Sequence, residues 1–438
     1  MKRHDVIVVG AGPAGLAAAH RLSELGVRDV VVLEREREIG GVPRHCGHTG
    51  FGIVEFFRPM RGPDYARRLA ASAERARVDI RTGTTVTQLL PGGEVETVGA
   101  CGPERLSARA VLLATGARET PRSARLVSGT RPTGVTTTGA LQQLVYLAGA
   151  KPFERAVIVG TELVSFSAIL TLRHAGIEPV AMIEENSRIT ARRPGDWIAR
   201  ALFGVPVWTG TRLLAIHGRR RVEAVEIAHS GRREHIPCDG VVFTGRFLPE
   251  AALLSGSPIE IDPGTGGPSI DQHWRCSDSA YFAAGNLLRP IETAGVAWQE
   301  GRAAAEAIAA ALAGALPMPE RVLPIRWSAP LRYVYPQRLS QPGQPLHPLQ
   351  LRARVARAAS GRIAVIVNGR EIWSRNIKAL PERRIVLPGW PLSLEALEQV
   401  AVRLDETSAP VEEPAPRQSA IKPHSTLTER SSLGTVSD

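Results

Sequence analysis

The chain is short of the features that mark several functional classes. Its four cysteines, Cys46, Cys101, Cys238 and Cys276, lie far apart, with no CxxC pair and no zinc-type spacing. That excludes a local redox dithiol, an iron-sulfur run and the dense disulfide framework of a small secreted protein. No apolar run reaches the length of a membrane-spanning helix, and the opening "MKRHD" leads directly into a strand without the apolar core of a secretory signal. No membrane span and a cytoplasmic location are therefore expected. Aromatic residues make up only 5% of the chain, and the formal charge of +11 comes almost wholly from scattered arginines. Without a basic tract interleaved with aromatics, this composition points away from nucleic acid and toward a solvated surface plus phosphate-bearing cofactors.

What is present is a globular composition. At 438 residues and 43% hydrophobic content, the chain can form two or three domains, each with its own core. Residues 1–120 alternate strand and helix signals, opening as βαβ with "DVIVVG", a helix to Leu25 and "DVVVLE". A second strand-turn-helix starts at Arg155 and is followed by "EPVAMIEE", so residues 121–245 read as an inserted unit of the same kind. Residues 246–316, with "SAYFAAGNLL" and an Ala-rich helix, return to the first domain, and a Pro-rich link follows at 317–324. Residues 325–405 change to short β-like runs, with Asn368-Gly369 placed as a two-residue hairpin turn. Residues 406–438 lack periodicity, are rich in Ser, Thr and Pro, and are expected to be a disordered tail.

The clearest chemical motif is "VIVVGAGPAGLAAAHRLSELGVRDVVVLE". Gly10 permits the tight turn, Gly12 lets the backbone approach a pyrophosphate, and Gly15 allows close helix-sheet packing. The helix start then faces the phosphates. Glu34, 19 residues after Gly15, stands where a carboxylate can hold both hydroxyls of an adenosine ribose. Strand, turn, helix and acid together make a dinucleotide fingerprint, although they do not separate FAD from NAD.

Two later segments, "VLLATGARETPR" (111–122) and "YFAAGNLLRPIETAGVAWQEGRAAA" (281–305), resemble the second and third FAD motifs of the flavoproteins with two dinucleotide-binding domains, the group of thioredoxin and glutathione reductases. The resemblance implies noncovalent FAD bound by Gly10, Gly12, Pro13, Ala14, Gly15, Glu34, Arg35, Gly41, Arg44, Val86, Ala114, Thr115, Gly116, Gly285, Asn286, Thr293 and Ala294. It implies that Asn286 contacts the flavin's phosphate and ribityl chain, and that the helix starting near Thr293 points at the flavin ring. That group usually has Asp at the position of Asn286. A helix dipole there favours the anionic reduced flavin.

"GGVPRHCGHTGFG" (40–52) and "SGTRPTGVTTTGALQQLV" (128–145) narrow the likeness. They resemble the flavin subunits of multi-component bacterial dehydrogenases, the opine oxidase, hydroxyproline or proline dehydrogenase and hydrogen cyanide synthase group, over roughly residues 1–316. Members commonly carry a C-terminal iron-sulfur domain. Since no cysteine follows Cys276, the resemblance implies a hetero-oligomer in which a second flavoprotein or an iron-sulfur subunit is a separate chain. His45, Cys46 and His48 are the candidate catalytic residues. As metal ligands they fail for want of a fourth donor, and no metal is expected. An acid-base role near the flavin is the sharper reading, and shaping of the loop with Arg44 as charge partner is the plainer one.

The second turn, "AVIVGTELVSFSA", puts Glu162 and Ser165 where the first has Gly12 and Gly15. A carboxylate about 4 Å from a phosphate charge, at an effective dielectric near 20, repels it by roughly 4 kcal/mol. The second unit is therefore expected to keep its Rossmann-like shape without using a nicotinamide cofactor. The expected fold is α/β: an FAD-binding Rossmann-like domain, an inserted and degenerate NAD-type domain, a β-rich C-terminal domain and the tail. The leading expectation is an FAD-dependent dehydrogenase subunit that takes electrons from a small amine, amino acid or hydroxy acid. The alternatives are an NAD(P)H-dependent flavoprotein reductase and a flavin-bound scaffold with no turnover alone.

Overall fold

The computed structural model describes residues 3–76, 78–191, 195–289, 291–316, 318–341, 349–389 and 397–407. Of the expected tail, residues 408–438 lie outside the described residues. No described helix is long and apolar enough to cross a membrane.

The chain opens with β1 (Arg3–Val9), α1 (Pro13–Glu24) and β2 (Val30–Leu33). β1 and β2 are Val- and Ile-rich and buried on both faces, as a central parallel sheet requires. The sheet runs Asp79–Arg81, β2, β1 and then β3 (Gly102–Leu113), every pair parallel. The first half of β3 also closes an antiparallel meander with Thr85–Leu90 and Glu94–Gly99.

The same plan is then repeated. β4 (Arg155–Val159), α2 (Leu163–His174), β5 (Glu178–Ile183) and β6 (Gly240–Phe243) form a second parallel sheet with Val135–Thr137 and Val207–Trp208 at its edges. A second antiparallel meander, Thr211–His217, Ala224–His229 and Arg232–Pro237, accompanies it. The chain enters and leaves this unit through two short strands, Ala117–Glu119 and Phe247–Pro249, paired antiparallel.

β7 (Tyr281–Ala283) then adds to β3 in parallel, and α3 (Ala294–Leu312) packs against α1. A Cβ on Gly301 would lie 2.1 Å from the carbonyl oxygen of Ala14, so glycine is what lets the two helices approach this closely.

The last region is two sheets around one core that includes Leu323, Ile325, Val334, Ile363 and Val402. Its first strand, Arg321–Trp327, begins inside the segment expected to be a Pro-rich link, because Leu323 and Ile325 are core residues and only Pro324 interrupts the run. β8 (Ala359–Val367) and β9 (Arg370–Ala379) form the hairpin around Asn368 (φ 49°) and Gly369 (φ 77°), both in the left-handed region that a type I′ turn needs. β10 (Val400–Glu406) takes in the first residue of the expected tail. Glu406 pairs with Arg357 through two bonds of 2.7 and 2.6 Å, and the Thr407 N–H reaches the Ser360 carbonyl. Tyr333 and Tyr335 leave this region to join the core on the other face of the first sheet.

Candidate functional site

The first turn forms a backbone cradle. Gly10 has a φ of +104°, and a Cβ there would meet the Ala114 carbonyl oxygen at 2.6 Å. A Cβ on Gly15 would lie 1.9 Å from the Gly10 oxygen, and one on Gly41 would lie 2.8 Å from the Gly12 Cα. Gly12 is the N-cap of α1 and Pro13 its first residue, with no side chain capping the helix start, so its first-turn N–H groups remain open to an anion. The Ala11 N–H donates to Glu34 Oε2 at 2.8 Å and the Glu36 N–H to Oε1 at 2.9 Å. A carboxylate has about four acceptor positions, which leaves Glu34 two. This cradle and its half-used acid fit the pyrophosphate and ribose of a dinucleotide.

The second turn copies this geometry with side chains in place of two of its glycines. Gly10 N–H reaches the Leu33 carbonyl at 2.8 Å, and Gly160 N–H reaches that of Ile183 at 2.8 Å. Gly40 N–H closes on the Ala11 carbonyl, and Ala191 N–H closes on that of Thr161. Glu184 follows β5 as Glu34 follows β2, but it is saturated. Thr161 Oγ1 and Thr190 Oγ1 donate to Oε2 at 2.5 and 3.3 Å, and Asn186 donates its main-chain and side-chain N–H to Oε1 at 3.0 and 2.7 Å.

Glu162 does not swing into solvent. Its Oε1 accepts the Arg246 N–H at 2.8 Å, and its carboxyl lies where a Cβ on Gly245 would fall. Burial raises its pKa, opposed by the Arg246 N–H and by Arg125. Ser165 is fully buried and bonded to Thr244 Oγ1 at 2.6 Å, occupying the close approach that Gly15 keeps open in the first unit.

The loop at 40–52 is pressed against the second unit. Cys46 Sγ–H donates to Gln142 Oε1 at 3.5 Å, and Tyr146 lies where a Cβ on Gly47 would fall. Burial, helped by Glu119, pushes the Cys46 thiol up to about 12, so it stays protonated at neutral pH. Burial, and then Arg44, lowers His45 to about 4, so its imidazole is neutral. His48 Nδ1 engages the Thr49 carbonyl at 2.9 Å. Arg44 is the charge partner of Glu38 at 3.4 Å and Glu36 at 3.9 Å. Arg35 is largely exposed, and Val86 is buried within the strand Thr85–Leu90. Among the described residues, no group of three or more His, Cys, Asp or Glu could hold a metal. All four cysteines are free.

Glu119, which the sequence did not single out, sits at the crossing between the units. It accepts the Gly139 N–H at 2.8 Å and the Gly245 N–H at 3.0 Å, and burial raises its pKa. Ala114, Thr115 and Gly116 follow β3 directly beside the Gly10 turn, and Thr115 Oγ1 donates to the Glu250 carbonyl at 2.8 Å.

The third segment reaches the same place from β7. A Cβ on Gly285 would fall 2.9 Å from the Ala14 Cβ, and Thr293 caps α3 by accepting the Val296 N–H, with Ala294 the first helical residue. Asn286 Oδ1 accepts the Glu292 N–H at 2.8 Å while its Nδ2 donates to the Glu292 carbonyl at 3.2 Å. That second bond explains an amide where Asp is usual, because a carboxylate has no proton to give the carbonyl. The amide keeps one N–H and one lone pair for a ligand.

Two Rossmann-like units, one inserted in the other, with three segments converging on the first turn, define an oxidoreductase of the two-dinucleotide-domain class. Residues 4–301 match the pyridine nucleotide-disulphide oxidoreductase family, and the chain belongs to it. It is 29% identical over 319 residues to an opine oxidase subunit of Rhizobium meliloti, covering 65% of this chain and 58% of that protein. It therefore spans less than three fifths of that relative. Among solved structures, thioredoxin reductase of T. acidophilum aligns with a TM-score of 0.61 at 22% identity, covering 71% of this chain and 99% of that one. L-proline dehydrogenase from P. horikoshii aligns at 0.52 and 18% identity, covering 69% and 54%. These structures share the fold.

Proposed function

We propose that the chain is the FAD-dependent, electron-transferring subunit of a multi-component dehydrogenase that oxidises a small amine, amino acid or hydroxy acid without NAD(P)H. The observation that carries this reading is the asymmetry of the two turns. Glu34 keeps two free acceptor positions beside an open glycine cradle, whereas Glu184 has none and the side chains of Glu162 and Ser165 stand where the first turn has glycines. The likeness to the opine oxidase subunit supports a partnered role, with a second flavoprotein or an iron-sulfur protein as the other component.

Bound at the first turn, FAD would supply two-electron acceptance from the C–H bond beside the amine or hydroxyl group. The chain's residues orient it: the α1 N-terminus and Gly10–Gly15 take the pyrophosphate, Glu34 the ribose, and Asn286 and the α3 N-terminus the flavin end. Neutral His45 and protonated Cys46 line a buried loop and carry no charge at neutral pH. The test is anaerobic stopped-flow. The purified chain should be yellow, millimolar NADH or NADPH should leave its 450 nm band intact, and a candidate donor should bleach it once the partner subunit is added. Rapid bleaching by either nucleotide would overturn the proposal.

A further inference from the structure

We infer that Arg384, in the C-terminal β-rich region, is a positioning residue for the flavin end of the FAD site, acting through Glu292 and Asn286. This rests on the reading that FAD occupies the first turn. Asn286 is fixed by a two-way pairing with the main chain of Glu292. The Glu292 carboxylate is 8% exposed, and Arg384 Nη1 donates to its Oε2 at 2.6 Å while Arg289 Nε stands 3.5 Å from Oε1. A second arginine of the same region, Arg354, donates to the Ile291 carbonyl at 3.3 Å.

These two arginines share one platform. Arg354 lies on the strand Arg352–Val355, and Arg384 immediately precedes its partner strand Ile385–Val386, with Ala353 opposite Ile385. The loop that carries Asn286 is thus held from a sheet outside the nucleotide-binding units. A charge-assisted bond to a buried carboxylate is among the stronger side-chain contacts, so loss of Arg384 releases Glu292 first and the Asn286 bracket with it. The preceding residue but one, Glu382, gives an internal control: it holds Arg188 of the second unit through bonds of 2.9 and 3.2 Å and, among the described residues, has no bond to the Asn286 loop.

The experiment compares the full chain with Arg384→Gln, Arg384→Lys and Glu382→Gln. Each is assayed for FAD dissociation constant, visible circular dichroism of the bound flavin and midpoint potential. Arg384→Gln should weaken FAD binding roughly tenfold and alter the flavin dichroism and potential. Arg384→Lys should recover part of both, because an ammonium still donates to Glu292. Glu382→Gln should leave the flavin signals as in the unmodified chain. Unchanged affinity and spectrum in Arg384→Gln, or equal losses in Glu382→Gln, would overturn the inference while leaving the FAD reading intact. An unmodified chain that binds no FAD would overturn both.

Discussion

Glu34 and Glu184 end equivalent strands of two equivalent units, yet Glu34 accepts two hydrogen bonds and Glu184 accepts four. The difference separates an acid available to a ribose from one already committed to its own turn. Glu34→Gln should weaken FAD binding by about 1.5–3 kcal/mol, or roughly tenfold to a hundredfold, because bonds to a charged acceptor are lost. Glu184→Gln should leave FAD affinity unchanged and lower stability by about 1–3 kcal/mol, since buried donors lose their acceptor. Isothermal titration and chemical denaturation read the two effects separately.

Restoring the second turn should take more than its glycines. With Glu162→Gly and Ser165→Gly, Thr161 still occupies Glu184, so nicotinamide nucleotides should stay unbound by fluorescence quenching. Adding Thr161→Ala frees Oε2 from its shortest partner and should bring measurable NADH binding. Tight binding by the double variant would show that charge and bulk alone close the site.

His45 should leave a pH signature. Its folded pKa is about 4 against 6.5 unperturbed, so below 6.5 the unfolded chain binds a proton that the folded chain refuses. The stability it contributes is complete above pH 6.5 and falls by about 3 kcal/mol as pH drops toward 4. His45→Gln should flatten that part of the denaturation profile, and an unchanged slope would place the titration elsewhere.

Thiol reactivity should divide the cysteines. Cys101 is exposed, while burial raises Cys46 to about 12 and Cys238 to about 11 and also raises Cys276. Native protein at pH 8 should release one equivalent rapidly with a disulfide reagent, and Cys101→Ser should abolish it. A second rapid equivalent lost in Cys46→Ser would show that the Cys46 thiol is accessible and reactive.

Truncation should be sensitive to two residues. A chain ending at Thr407 should melt as the full chain does. One ending at Asp405 loses the Glu406 pairing with Arg357 and the Thr407 bond to Ser360, and should melt about 2 °C lower by calorimetry.

What was legible in the sequence followed from local necessity. Gly15 announces the first turn because a side chain there would strike the Gly10 main chain within one short segment, Gly10 because its φ of +104° is one that L side chains rarely adopt, and Asn368-Gly369 announces its hairpin because few residues accept two left-handed positions in a row. The loss of two glycines at Glu162 and Ser165 was equally readable. The direction of Glu162 was not, because its partner is the N–H of Arg246, far along the chain. Glu184 carried a signal that pattern reading could have used, since "EPVAMIE" ends as "DVVVLE" does. Its saturation by Thr161, Thr190 and Asn186 shows only once the loop has closed. Glu119 and Arg384 offered no signal, because each acts across elements distant in sequence.

The two crossings between the units lie side by side, with Ala117 opposite Pro249 and Glu119 opposite Phe247. The inserted unit therefore enters and leaves through one doorway, its ends about one strand spacing apart, near 5 Å. Such a unit is a cassette. Its removal would leave a gap that a short turn could bridge, and no strand of the first sheet would change register. A change at its turn likewise need pass no strain to the host sheet, so under the proposed reading a duplicated fold can lose one cofactor and keep the other.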